Sequence, residues 1–222
     1  ELVLFEDLGD LTDFDFGHGE KLGGPRIARM GTDDKPKLAA GQHIHPCSSV
    51  SSVAQNLDEL FDVVDEQDRV TGQLTRREVH RRKLRHRAVH MLVVNRAGRV
   101  FLHQRSRQKD LFPGVWDSSA AGHVGTGEDY DGTALRELTE EIGCKPVKPP
   151  RRLFKIEARE ETGQEFVWVY RVEAEGPFVL QPDEVERGDW FTVAQIDRWL
   201  AERPAELAPA FLFIWPRARG ML

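Results

Sequence analysis

The sequence predicts an α/β sandwich. Three observations carry that prediction: β-rich runs spread along the chain, capped helical segments between them, and enough apolar residues for one core. The runs AVHMLVVN, VFLHQR and FVWVYRV are dense in β-branched and aromatic residues, as strands of a packed sheet require. Thr75 with Glu78, and Thr192 with Gln195, stand at the spacing of a helix capping box. Strands interleaved with helices around one sheet bury each other's apolar faces as layers. At 222 residues and 40% hydrophobic content, the chain suits a single catalytic-size core with extensions.

Taken in order, residues 1–56 show no sustained period. Glu1 to Gly24 mixes acids with scattered Leu and Phe, and Gly31 to Asn56 is rich in Gly, Pro, Ser and other polar residues, which reads as an arm or linker. His43 and His45 have no further ligand types close by in that arm and are assigned no function. The folded domain is expected over 57–222. Leu60 to Val64 reads as a strand and Val70 to Leu74 as its hairpin partner across the polar turn Asp65 to Arg69. Thr75 opens a short helix reaching Leu84, with a solvated Arg-rich face. A Gly-containing turn from Arg96 to Arg99 joins the two strands AVHMLVVN and VFLHQR. Phe166 to Val172 alternates as a strand, and Trp190-Phe191 closes another. The helix after Thr192 carries Ile196, Trp199 and Leu200, and Ala208 to Trp215 forms a last apolar helix.

Composition excludes several classes of function. Lys and Arg number 31 against 37 Asp and Glu, so the net charge of −6 gives no drive toward nucleic-acid backbones or anionic lipid. A nucleic-acid partner is disfavoured. No apolar run is long enough to span a bilayer, so no membrane role is expected. Cys47 and Cys144 form neither a zinc pattern nor a disulfide framework, which points to free thiols in a reducing compartment, the cytosol or an organelle matrix. The first residue is Glu1, so a removed targeting peptide would leave no trace. Homo-oligomerisation stays open.

The chemistry is concentrated in Gly122 to Cys144, GHVGTGEDYDGTALRELTEEIGC. A Gly-rich loop leads into a helix that starts at Asp129 or Asp131 and stops near Gly143. Glu137, Glu140 and Glu141, three and four positions apart, project from one face of that helix. Their repulsion destabilises the helix unless a cation lies between them, and carboxylate oxygens suit Mg²⁺ or Mn²⁺. Arg136 beside the cluster and Glu128 in the loop can pair and pin loop to helix. The alternative for such a face is simple solvation.

The full stretch resembles the Nudix box: Gly, five residues, Glu, seven residues, Arg-Glu, an apolar residue, any residue, Glu-Glu, any residue, Gly and an apolar residue. Gly122, Glu128, Arg136, Glu137, Leu138, Glu140, Glu141 and Gly143 fill their places, with Cys144 where a larger aliphatic is usual. The resemblance implies an α/β/α sandwich with a mixed central sheet, in which Glu137, Glu140 and Glu141 bind metal or orient water and the carbonyl of Ala121 adds a ligand. It implies Mg²⁺-dependent attack of water on a diphosphate in a nucleotide-like or other small molecule. Arg136, Glu137 and Glu140 would then be catalytic. The general base varies in this superfamily; Glu165, Asp183 and Glu184 are candidates, and Glu165 is preferred.

The flanks resemble the isopentenyl-diphosphate-isomerase-like branch, through FDVVDEQDRVTGQ, LRHRAVHMLVV, FLHQRSRQKDLFPGVWD and GPFVLQPDEVERGDWFT. An isomerase is therefore one rival reading. Where isomerases carry a catalytic Cys, this chain has VWDSSAAGH, with Ala120 at the match, and alanine can serve as neither acid nor nucleophile. The other rival is a non-catalytic docking module, which the complete set of box acids opposes. Arg105 and Lys109, with Arg107 between them, are candidate diphosphate contacts. Trp116, Trp168 and Tyr170 could stack on a base or simply pack in the sheet.

Overall fold

The computed structural model describes residues 59–222. The arm proposed for 1–56, with His43, His45 and Cys47, lies outside the described residues. Strands β1 (Leu60–Val64) and β2 (Val70–Thr75) pair antiparallel as a hairpin separate from the main sheet. Its turn closes because the Asp65 carboxylate accepts from the N–H groups of Gln67 (2.9 Å) and Arg69 (3.0 Å). Helix α1 (Arg76–Arg81) follows at once, with the Thr75 hydroxyl accepting from the Glu78 N–H. Its Arg-rich face is not uniformly solvated, contrary to the expectation from sequence. Arg76 is 6% exposed and turns inward to bond Asp110 through both nitrogens, at 2.6 and 3.1 Å. A guanidinium can be buried in this way because the fork-to-carboxylate pair satisfies it.

The main sheet holds β3 (His86–Val94), β4 (Val100–Arg105), β5 (Trp116–Asp117), β6 (Ala120–His123), β7 (Arg151–Ile156), β8 (Glu165–Glu173) and β9 (Val185–Phe191). The order is β5-β4-β3-β8-β7, with β6 also paired to β3 and β9 to β4; β3 and β8 run parallel and the other pairs antiparallel, so the sheet is mixed. Strand β3 is buried on both faces. Ala88, Leu92 and Val94 enter one core, and Val89, Met91 and Val93 enter the other.

Helices close both cores. Tyr130, Ala134, Leu138 and Ile142, spaced one turn apart, put one stripe of α2 (Tyr130–Ile142) on the second core. Ile196 and Trp199 of α3 (Val193–Glu202) and Phe211, Ile214 and Trp215 of α4 (Pro209–Ala218) cover the first. The result is an α/β/α sandwich. Trp116 lies edge to face with Phe191 and Trp199 in the core, and the buried Tyr170 donates its hydroxyl to Asp131 (2.7 Å), so sheet packing is the role of these aromatics. Among the described residues no helix is long and apolar enough to cross a membrane.

Candidate active site

Strand β6 and helix α2 build one wall of a cavity of about 720 Å³. The Asp129 carboxylate caps α2 by accepting from the Gly132 N–H (2.7 Å), and Gly143 ends it at a φ of 63°. Glu137 and Glu141 thereby face inward, 9% and 4% exposed, while Glu140 stays exposed at the edge. Gly122 makes room for them: a Cβ there would lie 2.0 Å from Glu137 Oε1. The Ala121 N–H donates to Glu141 Oε2 at 3.0 Å, so the strand holds the acid in place.

One guanidinium serves most of the acidic group. Arg136 bonds Glu128 through Nε and Nη2, each at 2.9 Å, and reaches Glu137 at 2.8 Å and Glu140 at 2.9 Å. It also donates to the His123 carbonyl at 3.1 Å, which fixes the loop to the helix as its place beside Glu128 predicted. Arg136 does not bond Glu141, which the charges of Lys109 and Arg105 offset only in part. Burial pushes the Glu141 carboxyl up to about 7, against the opposing charge of Lys109. Burial and the neighbouring Glu141 raise Glu137 well above the usual carboxylate range.

Arg105 and Lys109 also line the cavity, both largely covered. Their charges are engaged by the protein. Arg105 donates to the carbonyls of Leu111 and Phe112 and lies 3.5 Å from Asp117, and Lys109 bonds Glu184. Arg107 is exposed and pairs with Glu186 instead, and neither it nor Asp183 lines the cavity.

Glu165 lies at the same cavity but in different company. His80 from α1, His86 from β3, His123 from β6 and Glu165 from β8 bring one ligand atom each to within 4.8 Å of one another. His123 Nε2 is 3.0 Å from Glu165 Oε1, and the Phe61 ring stacks on both His123 and His86. The His86 Nδ1 lies 2.9 Å from the Leu84 carbonyl, which cannot donate, so Nδ1 carries the proton. The buried Nε2 lies 3.5 Å from Glu165 and has no hydrogen bond among the described residues. Burial lowers His80 and His123 to about 4, with neighbouring imidazoles adding to the effect at each. Against its own burial, the His123 and His86 partners hold Glu165 well below the usual carboxylate range.

Sequence reasoning found the helix acids and missed Arg76, His80, His86 and His123. The three histidines sit on separate elements and share no motif spacing. The one available signal was His123 itself, next to Gly122 inside the motif.

Fold and acidic helix together match a family of hydrolases acting on pyrophosphate bonds. The NUDIX domain model matches residues 84–211. An uncharacterised Nudix hydrolase of Streptomyces coelicolor is 37% identical over 173 residues, covering 77% of this chain and 94% of that protein. A Nudix hydrolase of Deinococcus radiodurans is 32% identical over 136 residues, covering 61% and 80% respectively. A crystal structure of a Deinococcus radiodurans protein matches with a TM-score of 0.58 at 29% identity, over 65% of this chain and 90% of that one. The chain belongs to the Nudix family.

Proposed function

We propose that this chain is a Mg²⁺-dependent enzyme cleaving the diphosphate linkage of a nucleoside diphosphate derivative or a related small molecule, with Mn²⁺ as an alternative cation. The observation that carries this reading is the pair of buried carboxylates, Glu137 and Glu141, raised in pKa beside Glu140, with Arg136 bonded to Glu137 and Glu140 and no cation bonded to Glu141 among the described residues. An all-oxygen donor set of this kind fits a hard divalent ion. Glu137, Glu140, Glu141 and the Ala121 carbonyl would hold it. When bound, such an ion acidifies water and neutralises charge on phosphate oxygens.

The protein's own residues orient and neutralise. Arg136 positions the catalytic Glu137 and Glu140. Arg105 and Lys109 would bind the substrate diphosphate, exchanging carbonyls and Glu184 for phosphate oxygens. Glu165 is a weak proton acceptor because its pKa is depressed, which favours a role as an anionic partner of the three imidazoles over that of general base. A set of three imidazoles and one carboxylate suits zinc, manganese or another transition-series ion better than Mg²⁺.

The resemblance of the flanks to the isopentenyl-diphosphate-isomerase-like branch supports a small diphosphate as substrate. No thiol among the described residues lines the cavity, and Cys144 is buried in the core under α2, which favours hydrolysis over isomerisation. The test is phosphate release with Mg²⁺ from nucleoside diphosphates, nucleoside triphosphates, sugar nucleotides and isoprenoid diphosphates. Glu141→Gln should lower turnover by about 10³-fold with unchanged circular dichroism. Silence of the wild type across the panel, or full activity of the variant, overturns the reading.

A further inference from the structure

Leu111 and Phe112 stand at the cavity on the loop between β4 and β5, 44% and 51% exposed. Large apolar side chains left in water forgo the free energy of burial unless something covers them. The loop that carries them is tied down on all sides. Buried Arg76 grips Asp110 twice, Lys109 bonds Glu184, and the Arg105 guanidinium donates to the carbonyls of Leu111 (3.0 Å) and Phe112 (3.2 Å). The Gln104 amide holds the Gly114 carbonyl at 2.7 Å.

Phe112 also has a φ of 49°, a left-handed conformation that disfavours any residue with a Cβ. It precedes Pro113, where extended backbone is the norm. Glycine would serve this turn with less strain. An exposed aromatic ring, held in a strained backbone by paired charges around its loop, matches the pattern of a binding position more closely than that of a folding one.

We propose that Phe112, flanked by Leu111, selects the non-phosphate half of the substrate by stacking on a flat ring such as a nucleobase. The other exposed residues at the cavity include Lys83, Glu160 and Glu161, all charged. Ala88, Ala208, Pro209 and Ala210 add apolar surface to the same cavity but carry no aromatic ring, so Phe112, the exposed aromatic side chain there among the described residues, suits a ligand with a flat face. The loop presenting the ring also carries Lys109, and the Arg76–Asp110 pair and the Gln104–Gly114 bond hold it whether or not Arg105 and Lys109 turn to phosphate, so ring and diphosphate would be gripped by one unit. The inference rests on the diphosphate reading of the cavity.

The experiment measures binding of α,β-methylene-ADP and butyl methylenediphosphonate with Mg²⁺ to wild type, Phe112→Ala, Phe112→Gly and Phe112→Tyr. Wild type should prefer the nucleoside analogue. The Ala and Gly variants should each weaken it about 10-fold, with the butyl compound unchanged within about two-fold and Tyr close to wild type. Phe112→Gly should at the same time raise the unfolding midpoint, which a residue kept for packing would not do. Equal losses on both ligands, no loss on either, or no nucleoside preference in the wild type overturns the proposal. A wild type that discriminates yet releases no phosphate from any compound of the substrate panel would sink the hydrolase reading alone, and turnover of nucleotides indifferent to Phe112 would sink the ring platform alone.

Discussion

The two ends of the cavity solve the same problem with opposite chemistry. At one end, carboxylates crowd on a single helix and their protons are held tightly, Glu141 up to about 7. At the other, imidazoles from three elements crowd around Glu165, and burial lowers two of them, His80 and His123, to about 4. Each cluster offers a cation its ligands, one through carboxylates crowded on a helix and the other through imidazole nitrogens beside a carboxylate. The difference lies in hardness. Oxygen donors favour Mg²⁺, whereas nitrogen donors favour transition-series ions.

Gly122→Ala should separate the two ends most sharply. Its Cβ would fall 2.0 Å from Glu137 Oε1 and 2.7 Å from its Cγ, so that side chain must leave its place beside Arg136. We expect kcat/KM to fall by roughly 10²-fold or more, comparable to loss of a metal ligand, with Co²⁺ absorption at the histidines retained. Loss of both signals together would mean that the two ends form one site. His123→Ala makes the complementary cut: transition-metal affinity should drop by about 10- to 100-fold, measured by Co²⁺ titration, with a smaller effect on Mg²⁺-dependent turnover.

Stability against pH gives the next largest contrast. Glu141 has a folded pKa raised from 4.5 to about 7, so in metal-free protein the folded state holds a proton that the unfolded chain has released. Stability should therefore fall as pH rises from about 4.5 to about 7, by at most about 3 kcal/mol, and Mg²⁺ should remove the decline. Glu165 acts in the opposite sense. Its folded pKa is depressed, so its contribution is present above the ordinary carboxylate pKa and is lost as pH falls through the folded value. Urea unfolding midpoints from about pH 8 down to about pH 2, with and without Mg²⁺, check both signs. A profile rising through neutrality without Mg²⁺ would contradict the assignment.

The smallest effect concerns the link between the ends. Arg136→Lys keeps a charge but loses the fork that spans Glu128, Glu137, Glu140 and the His123 carbonyl. A loss of about 1 to 2 kcal/mol in unfolding free energy is expected, with a modest fall in kcat. An unchanged midpoint would show that the arginine carries no structural burden.

Legibility followed the range of the interaction. Helix α2 was readable to its caps, because Asp129, Gly143 and the one-turn apolar spacing act within a few residues. The hairpin, β3, β4, β8 and the capped α3 were readable for the same reason. Strands β5 and β6 escaped notice because runs of two and four residues show no periodicity, and β7 because a register shift between Arg152 and Phe154 breaks its alternation. Arg76 was read as solvated since its partner, Asp110, lies 34 positions away.

What the sequence determined by itself was the acidic helix face and the family it marks, since i, i+3 and i+4 spacing fixes which carboxylates share a side. Only the tertiary structure decided that Glu165 meets three histidines, that Arg105 and Lys109 are already engaged, and that Phe112 is strained at the rim. Those facts depend on strand order, above all on β3 lying between β6 and β8, and on which loops the two cores leave at the cavity. Local periodicity cannot encode such pairings, because they are set by the packing of residues distant in the chain.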